Sequence, residues 1–377
     1  MMTFKAFKYR IYPNKPQEIL LNKTFGCVRV VWNYQVEVFN QFDKNKTEPE
    51  QALTTTQLKK KFEWMGEVSA AALQQKEMDF KAFKRNYFST TRKKKLGRPS
   101  FKKRDSTQSY RLPNQKFTLN NNSIRLEKIG KVKLVLDRAV PTGCQFRSVT
   151  ISKNNCGQFF ASVLVEIGII PKPKTGKSIG LDIGIKTFLT GNDGFTVENP
   201  KYFRENQTKL KSAQQHLSRK KKGSLRYNKA KLKVARIHND IANKRQDFIQ
   251  RTTTKLVNEY DFIAIEDLNV TGMVKNHKLA KSISDAAFSK FYATLSYKAA
   301  WYGKEVVKVD RWFASSKTCS GCGWKNENLT LSDRTFKCKS CGLELGRDLN
   351  ASKNILREAL RVSSAIRTPS EGQTEIA

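Results

Sequence analysis

The sequence predicts a multidomain protein of α/β plus β class: a helical part, a small antiparallel barrel, and an α/β part with an inserted metal hairpin. Three observations predict it. From Gln17 to about Phe88, apolar side chains recur at three- and four-residue spacing, the period of a helix. Between Ser109 and Ile167, short apolar runs alternate with turn residues, the pattern of a small barrel. Beyond Lys177, two buried-strand runs carry acids, Asp182 in SIGLDIG and Glu266 in FIAIE, and four cysteines follow in metal-ligand spacing.

Residues 2–12 alternate as a strand, which Pro13 and Pro16 close, and Pro16 can open a helix. Leu20, Leu21, Phe25, Val28, Val31, Trp32 and Val36 mark the first helix. Asp43–Pro49 reads as a loop, with further helices near Thr55–Met65 and Ala70–Phe88. RKKKLGRPSFKKR, 92–104, holds eight basic side chains and no acid, and Gly97 and Pro99 argue against a helix. SYRL, KFTL, SIRL, KVKLVL, FRSVTIS and QFFASVLVEI are the barrel strands, and 171–177 is a linker. After SIGLDIG, KTFLT and FTVEN form a hairpin about Gly191–Gly194. Residues 204–251 read as helical, with fifteen Lys/Arg against Glu205, Asp240 and Asp247. DFIAIED is a strand, helices follow around 283–301, and KEVVKVD is a strand. A last helix runs from Asp348 to about Arg361, leaving a tail with no burial pattern.

The 377 residues suffice for two or three cores. With 71 Lys/Arg against 33 Asp/Glu the net charge is +38, which calls for a polyanionic partner. A membrane surface is the competing partner, but no run approaches the ~20 apolar residues of a spanning helix. The opening MMTFKAFKYRIYPNK lacks the apolar core of a secretory signal, so a cytoplasmic protein is expected. Cys27, Cys144 and Cys156 read as small buried apolar side chains.

Cys319-x-x-Cys322 and Cys338-x-x-Cys341 supply four thiolates for a tetrahedral zinc ion. Four protein ligands leave no open position, so this zinc is structural, and its binding folds a hairpin too short to bury a core. A redox CxxC would need a thioredoxin-like context, which is absent.

Magnesium takes hard oxygen ligands, and two such ions can drive phosphodiester hydrolysis. An acid in an apolar strand is costly unless it is paired or metal-bound, which singles out Asp182 and Glu266. Asp348, in GRDLNASKNIL, opens a helix able to pack beside those strands. Gly180 and Gly184 clear bulk near Asp182. Asp267 should point away from Glu266, as strand neighbours do, and Asp310 reads as structural. His216, His238 and His277 read as surface residues. No Ser-His-Asp, Cys-His or P-loop pattern occurs, so ATP hydrolysis is not expected.

These motifs resemble the TnpB family, transposon-encoded RNA-guided endonucleases related to type V CRISPR effectors. Asp182 in GLDIGIKTF, Glu266 in AIEDLN, the cysteines in SSKTCSGCG and KCKSCG, and RDLNASKNIL carry the resemblance. FKYRIYPNKPQ, GRPSFKKRDSTQSYR, the basic stretch from Leu217 and SYKAAWYG extend it along nearly the whole chain. The resemblance implies an RNase H-like RuvC nuclease domain (173–318 and 342–361) with a zinc-binding hairpin (319–341). It also implies a wedge β-barrel (1–12 and 106–172), a helical recognition domain (13–105) and a flexible tail (362–377). It implies a guide RNA (reRNA or ωRNA) and cleavage of double-stranded DNA beside a short transposon-adjacent motif, with base pairing reading the target. One chain with its RNA, in a prokaryotic cytoplasm and at the nucleoid, is the expected assembly.

Carried over residue by residue, Asp182, Glu266 and Asp348 become catalytic magnesium ligands, with two ions expected and Mn2+ a possible substitute. Cys319, Cys322, Cys338 and Cys341 become the zinc ligands, and Gln74 matches a segment facing the motif DNA. The family commonly reads DRD where this chain has Gly346-Arg347-Asp348, which retains the second acid. Retention of all three acids weighs against a nuclease-inactive guided regulator, and no tyrosine-nucleophile signature favours a transposase acting without RNA.

A charge run is usually a solvated face. The tract Arg92–Arg104 has Phe101 and Tyr110 near its lysines, rings on which bases can stack, beside Lys102, Lys103 and Arg111. In the second tract Leu210, Leu217, Leu225, Leu232, Ile237 and Ile241 mark a packing face. Lys220, Lys221, Lys222, Arg226 and Arg236 are left to meet phosphates. Such binding weakens steeply with salt through counterion release.

Overall fold

The structure is a computed structural model and describes residues 2–45, 52–91, 96–330 and 332–367. It divides into two compact units, Met1–Gly168 and Ile169–Ala377.

In the first unit, β1 (Met2–Tyr12) alternates as expected, burying Phe7, Tyr9 and Ile11. α1 (Lys15–Asn45) continues through the start of the expected loop Asp43–Pro49, whose remainder lies outside the described residues. α2 (Thr55–Lys61) opens on a capping box between Thr54 and Gln57. It stops short of the expected Met65, because Phe62 leaves helical geometry at φ −128° and a 3₁₀ turn takes over at Glu63–Glu67. α3 (Ala70–Tyr87) is capped by Ser69.

Six strands follow: β2 (Gln108–Pro113), β3 (Phe117–Asn120), β4 (Ser123–Leu126), β5 (Gly130–Val135), β6 (Gln145–Lys153) and β7 (Phe159–Gly168). With β1 they form a seven-stranded sheet, order β2-β6-β7-β1-β5-β4-β3, every pair antiparallel. The outer strands β2 and β3 are joined by one short turn, Asn114–Lys116, so the sheet curls into a nearly closed barrel. Inward side chains such as Val132, Val149 and Val163 share one core with Leu21, Phe25 and Val28 of α1 and Leu73 of α3. Burying each such side chain contributes ~1.5–3 kcal/mol before ordering costs. Farther along, Trp32 and Phe39 of α1 meet Phe80 and Tyr87 of α3 edge-on, with ring centroids 5.2 and 5.3 Å apart.

The second unit is built on β8 (Ser178–Ile183), β9 (Thr187–Gly191), β10 (Thr196–Glu198), β11 (Phe262–Glu266) and β12 (Glu305–Val309). They form a five-stranded sheet of order β10-β9-β8-β11-β12. β8, β11 and β12 are parallel, whereas β9 and β10 are antiparallel to their neighbours. Two helices, α4 (Tyr202–Ser218) and α5 (Leu225–Glu259), connect β10 to β11.

The basic tract is therefore not one rod. Gly223 takes a positive φ of 85°, and the Ser224 hydroxyl accepts from the Tyr227 amide to start α5. Leu210 and Ala213 of α4 pack on Ile237 and Ile241 of α5, as the periodicity required. Leu225, expected on that face, is the first residue of α5 and is 82% exposed.

α6 (Val270–Val274), α7 (Ala280–Ala286) and α8 (Phe288–Tyr302) lead to β12, with a break between α7 and α8 at Ala287 (φ 55°). The small hairpin β13 (Thr335–Lys337) and β14 (Glu344–Gly346) runs directly into α9 (Arg347–Arg367). α9 passes the expected end at Arg361. The stretch expected to be a tail is helical as far as Arg367, and its Ser363 hydroxyl donates to Glu305 at 3.1 Å. Residues 368–377 lie outside the described residues.

Candidate functional site

Parallel pairing of β8 and β11 sets Leu181 opposite Ile265, which leaves Asp182 and Glu266 next along their strands. Asp348 arrives from a third direction, in the first turn of α9, where the helix dipole favours a carboxylate. Gly180 lets α9 lie flush on β8. A Cβ there would stand 2.3 Å from the Ser352 carbonyl oxygen and 2.7 Å from Leu356. Backbone atoms cannot yield as a flexible side chain would. Gly180→Ala is therefore expected to cost ~1–3 kcal/mol of overpacking and to displace Asp348. Thermal unfolding of the full chain checks this, and a variant with a wild-type midpoint would contradict it.

Asp182 feels both of the other acids. Burial, followed by the nearby charges of Glu266 and Asp348, pushes the Asp182 carboxyl up to about 8, against the opposing pull of Arg347. Glu266 is also raised by burial, while the Ser315 hydroxyl, which donates to it, opposes the rise. Arg347 lies 3.1 Å from Asp348. Asp267 turns away, as expected, to pair with Lys308 and Arg311, and Asp310 accepts from the Trp312 amide at 2.8 Å.

Asp182 and Asp348 border an open cleft of about 770 Å³ whose other lining includes Lys186, Lys201, Arg204 and Lys281. A cleft lined by both carboxylates and cations suits a phosphodiester strand. Lys186, Lys201 and Lys281 escaped sequence reasoning because they come from separate elements with no common period.

Among the described residues, the cysteines are the set whose ligand atoms all converge within 4.8 Å, and the acids are not gathered so tightly. Sγ separations of 3.7 Å (Cys319 to Cys341) and 3.5 Å (Cys322 to Cys338) lie near the ~3.8 Å edge of a tetrahedron with Zn–S bonds of ~2.3 Å. The amides of Gly321 and Cys341 each reach a sulfur at 3.4 Å, and the Trp324 amide holds the Cys322 thiol down at about 6. Gly323 and Gly342 supply the positive φ that the knuckles need. The hairpin's own core is small, with Phe336 at its centre against Trp324, Leu329 and Leu343.

The residues expected to meet nucleic acid separate into several groups. Gln74, Lys103, Lys221, Lys222, Arg226 and Arg236 are exposed, with Lys220 half-buried. Lys220, Lys221 and Lys222 sit in the turn between α4 and α5, not on a helix face. Lys102 is clasped by the Asn33 amide at 2.7 and 3.1 Å, and its ammonium lies 4.3 Å from the Trp32 ring. Tyr110 corrects the expectation: it is 2% exposed and packs on Phe25 in the barrel core, because β2 turns it to the inward face. Phe101 remains exposed and can stack. Arg111 pairs with Asp79 at 2.8 Å. Residues 92–95 of the first basic tract lie outside the described residues. The three histidines are exposed, and Cys27 is buried, whereas Cys144 and Cys156 are only half-buried.

Three family models match the chain: "Probable transposase" (OrfB of IS605) over 162–277, "Cas12f1-like, TNB domain" over 288–355, and "Helix-turn-helix domain" over 1–39. Over the last of these, the described residues form a strand and a helix, β1 and α1. A Streptomyces pristinaespiralis protein named "Putative RNA-guided DNA endonuclease" is 38% identical, covering 96% of this chain and 90% of that one. Escherichia coli (strain K12) "Putative RNA-guided DNA endonuclease InsQ" is 30% identical, covering 94% and 92%. A solved Cas12f1–sgRNA–target DNA complex matches with a TM-score of 0.53 at 15% identity, covering 94% of this chain and 98% of that one, a likeness of fold. No helix among the described residues is long and apolar enough to cross a membrane.

Proposed function

The chain belongs to the TnpB (IS605 OrfB) family, and on that premise we propose that it is an RNA-guided, metal-dependent endonuclease for double-stranded DNA. The acidic site supports this reading most directly: three carboxylates from two parallel strands and one helix, with Asp182 pushed up to about 8. A buried acid so placed calls for a cation, and an all-carboxylate donor set suits a hard one. On this reading Asp182, Glu266 and Asp348 hold Mg2+, with Mn2+ able to replace it, and the bound metal supplies Lewis acidity to the scissile phosphodiester. Lys186, Arg204 and Lys281 hold the strand's phosphates across the cleft. The four cysteines hold a structural zinc ion.

The sheet order β10-β9-β8-β11-β12 supports an RNase H-like, RuvC-type assignment for 173–318 and 342–361, with 319–341 as the inserted hairpin. The barrel at 1–12 and 106–172 serves as the wedge, and 13–105 as the helical recognition part. A guide RNA selects the target by base pairing, and Gln74 with the exposed Lys103, Lys221, Lys222, Arg226 and Arg236 contacts nucleic acid. Sequencing the RNA that copurifies with the protein tests this: one transposon-end species is expected, and RNA-free protein that still cuts DNA would refute guidance.

The raised Asp182 also carries a pH signature. Its folded pKa lies above its unfolded value near 3.9, so its contribution to stability is complete below about pH 4. That contribution is lost as pH rises through about 8 in metal-free protein. Asp182→Asn removes the titration, so the variant's unfolding midpoint should gain on that of the metal-free wild type as pH goes from 5 to 8. Added Mg2+ should close the gap. Parallel midpoints across that range would contradict the assignment.

A further inference from the structure

Glu266 closes β11, and its backbone is fixed twice over, by the β12 ladder opposite Val309 and by the Tyr292 hydroxyl, which donates to its carbonyl at 2.9 Å. Those contacts leave the side-chain torsions open. Among the described residues, the hydrogen bond to its carboxylate comes from the Ser315 hydroxyl. Ser315 is 5% exposed and lies between β12 and the first cysteine knuckle.

The segment carrying Ser315 is itself held from α9. Asn350 and Asn354 lie one helical turn apart on the same face and are both 0% exposed. Asn354 Nδ2 donates to the Ser315 carbonyl at 2.8 Å and to the Thr318 carbonyl at 2.6 Å, and Asn350 Nδ2 donates to Thr318 at 2.7 Å. The Asn354 carbonyl oxygen accepts from Arg357 at 2.8 Å, which fixes which way the amide faces. Asn350 Oδ1 accepts from the Ser320 amide at 2.9 Å, inside the knuckle. Both buried amides thus spend their donors on one strip of chain, Ser315–Thr318, whose first residue meets Glu266 and which runs on into the Cys319 knuckle.

The geometry points to Ser315 as a positioning residue for Glu266, held in place by Asn354, that sets the carboxylate's approach to a divalent cation. This rests on the reading of Glu266 as a metal ligand. A hydroxyl that orients a ligating carboxylate acts as the partners behind metal ligands do, and removing such a partner typically weakens metal binding ~10–100-fold.

The test measures Mn2+ binding to the full-length, nucleic-acid-free chain by electron paramagnetic resonance, alongside the Mg2+ dependence of guided cleavage by the complex. Ser315→Ala should weaken Mn2+ binding by about tenfold and raise the half-saturating Mg2+ by a similar factor. The cleavage rate at saturating Mg2+, the zinc content and the thermal midpoint should stay near wild type, and Ser315→Thr, which keeps the hydroxyl, should restore binding. Wild-type Mn2+ affinity in Ser315→Ala would overturn the inference. So would loss of zinc or a lowered midpoint in that variant, since the residue would then be merely structural. Glu266→Ala is the reference: if it too binds Mn2+ as wild type does, the metal-ligand reading fails and the inference with it.

Discussion

Asp182→Ala or Glu266→Ala is expected to abolish cleavage of a guide-matched plasmid while leaving guide and target binding nearly intact. The two acids end adjacent parallel strands, and neither is used to hold the fold together in the way Asp261 is, which pairs with Lys304 and caps the amides of Thr175 and Gly176. Removing Asp182 relieves a buried carboxyl that the fold keeps pushed up to about 8, so the metal-free protein should not be destabilised by losing the charge. On the proposed reading, what disappears is a ligand oxygen at the reacting centre. Loss of a single charge-stabilising group at such a centre costs on the order of 10³-fold in rate, and a missing metal ligand should cost at least that. Plasmid cleavage and gel-shift affinity, measured on the same preparations, separate the two effects. Unchanged cutting in either variant would sink the catalytic assignment.

Cys338→Ser is the second large effect, and it acts at a distance. The hairpin's core is little more than Phe336 with three partly buried neighbours, far too small to order it alone. On the proposed reading, zinc affinity on the order of 10 kcal/mol supplies the missing stability. β14 ends at Gly346 and α9 begins at Arg347, so the hairpin also sets where the third acid starts. Zinc content should fall, the unfolding midpoint should drop, and cleavage should fall at least tenfold even though no cysteine touches the acidic cleft. A variant that stays fully folded and zinc-loaded would remove the structural role from the cysteines.

Local chemistry made much of this site readable in advance. Asp182 and Glu266 stood out because an acid in an apolar strand violates the pattern around it, and the four cysteines because thiolate spacing is tied to tetrahedral geometry. The barrel strands were readable from period-two burial between turn residues, as in β7, which buries Phe159, Ala161, Val163 and Val165. What stayed hidden depended on contacts between distant segments. Tyr110 belongs to a basic neighbourhood in sequence, yet the face it takes is decided by the register of β2 against β6. The break before α5 rests on one positive-φ glycine inside a tract whose charge looked uniform. α9 runs on past Arg361, and its Ser363 meets Glu305, far back in sequence. Asn350, Asn354 and Ser315 had no signal of their own, since their role is set by burial and by which backbone groups they meet.

Guided cutting is the most direct measure of the central claim. The protein is purified with its RNA, and a plasmid carrying a sequence complementary to that RNA is incubated with it in Mg2+. A mismatched plasmid and the Asp182→Ala protein serve as controls. The account predicts linear product from the matched plasmid alone, lost on chelation of Mg2+ and absent with Asp182→Ala. Tight binding of the matched plasmid without cutting would make the protein a guided regulator. Cutting indifferent to the guide would make it an enzyme that acts on DNA without RNA, and either result would contradict the account.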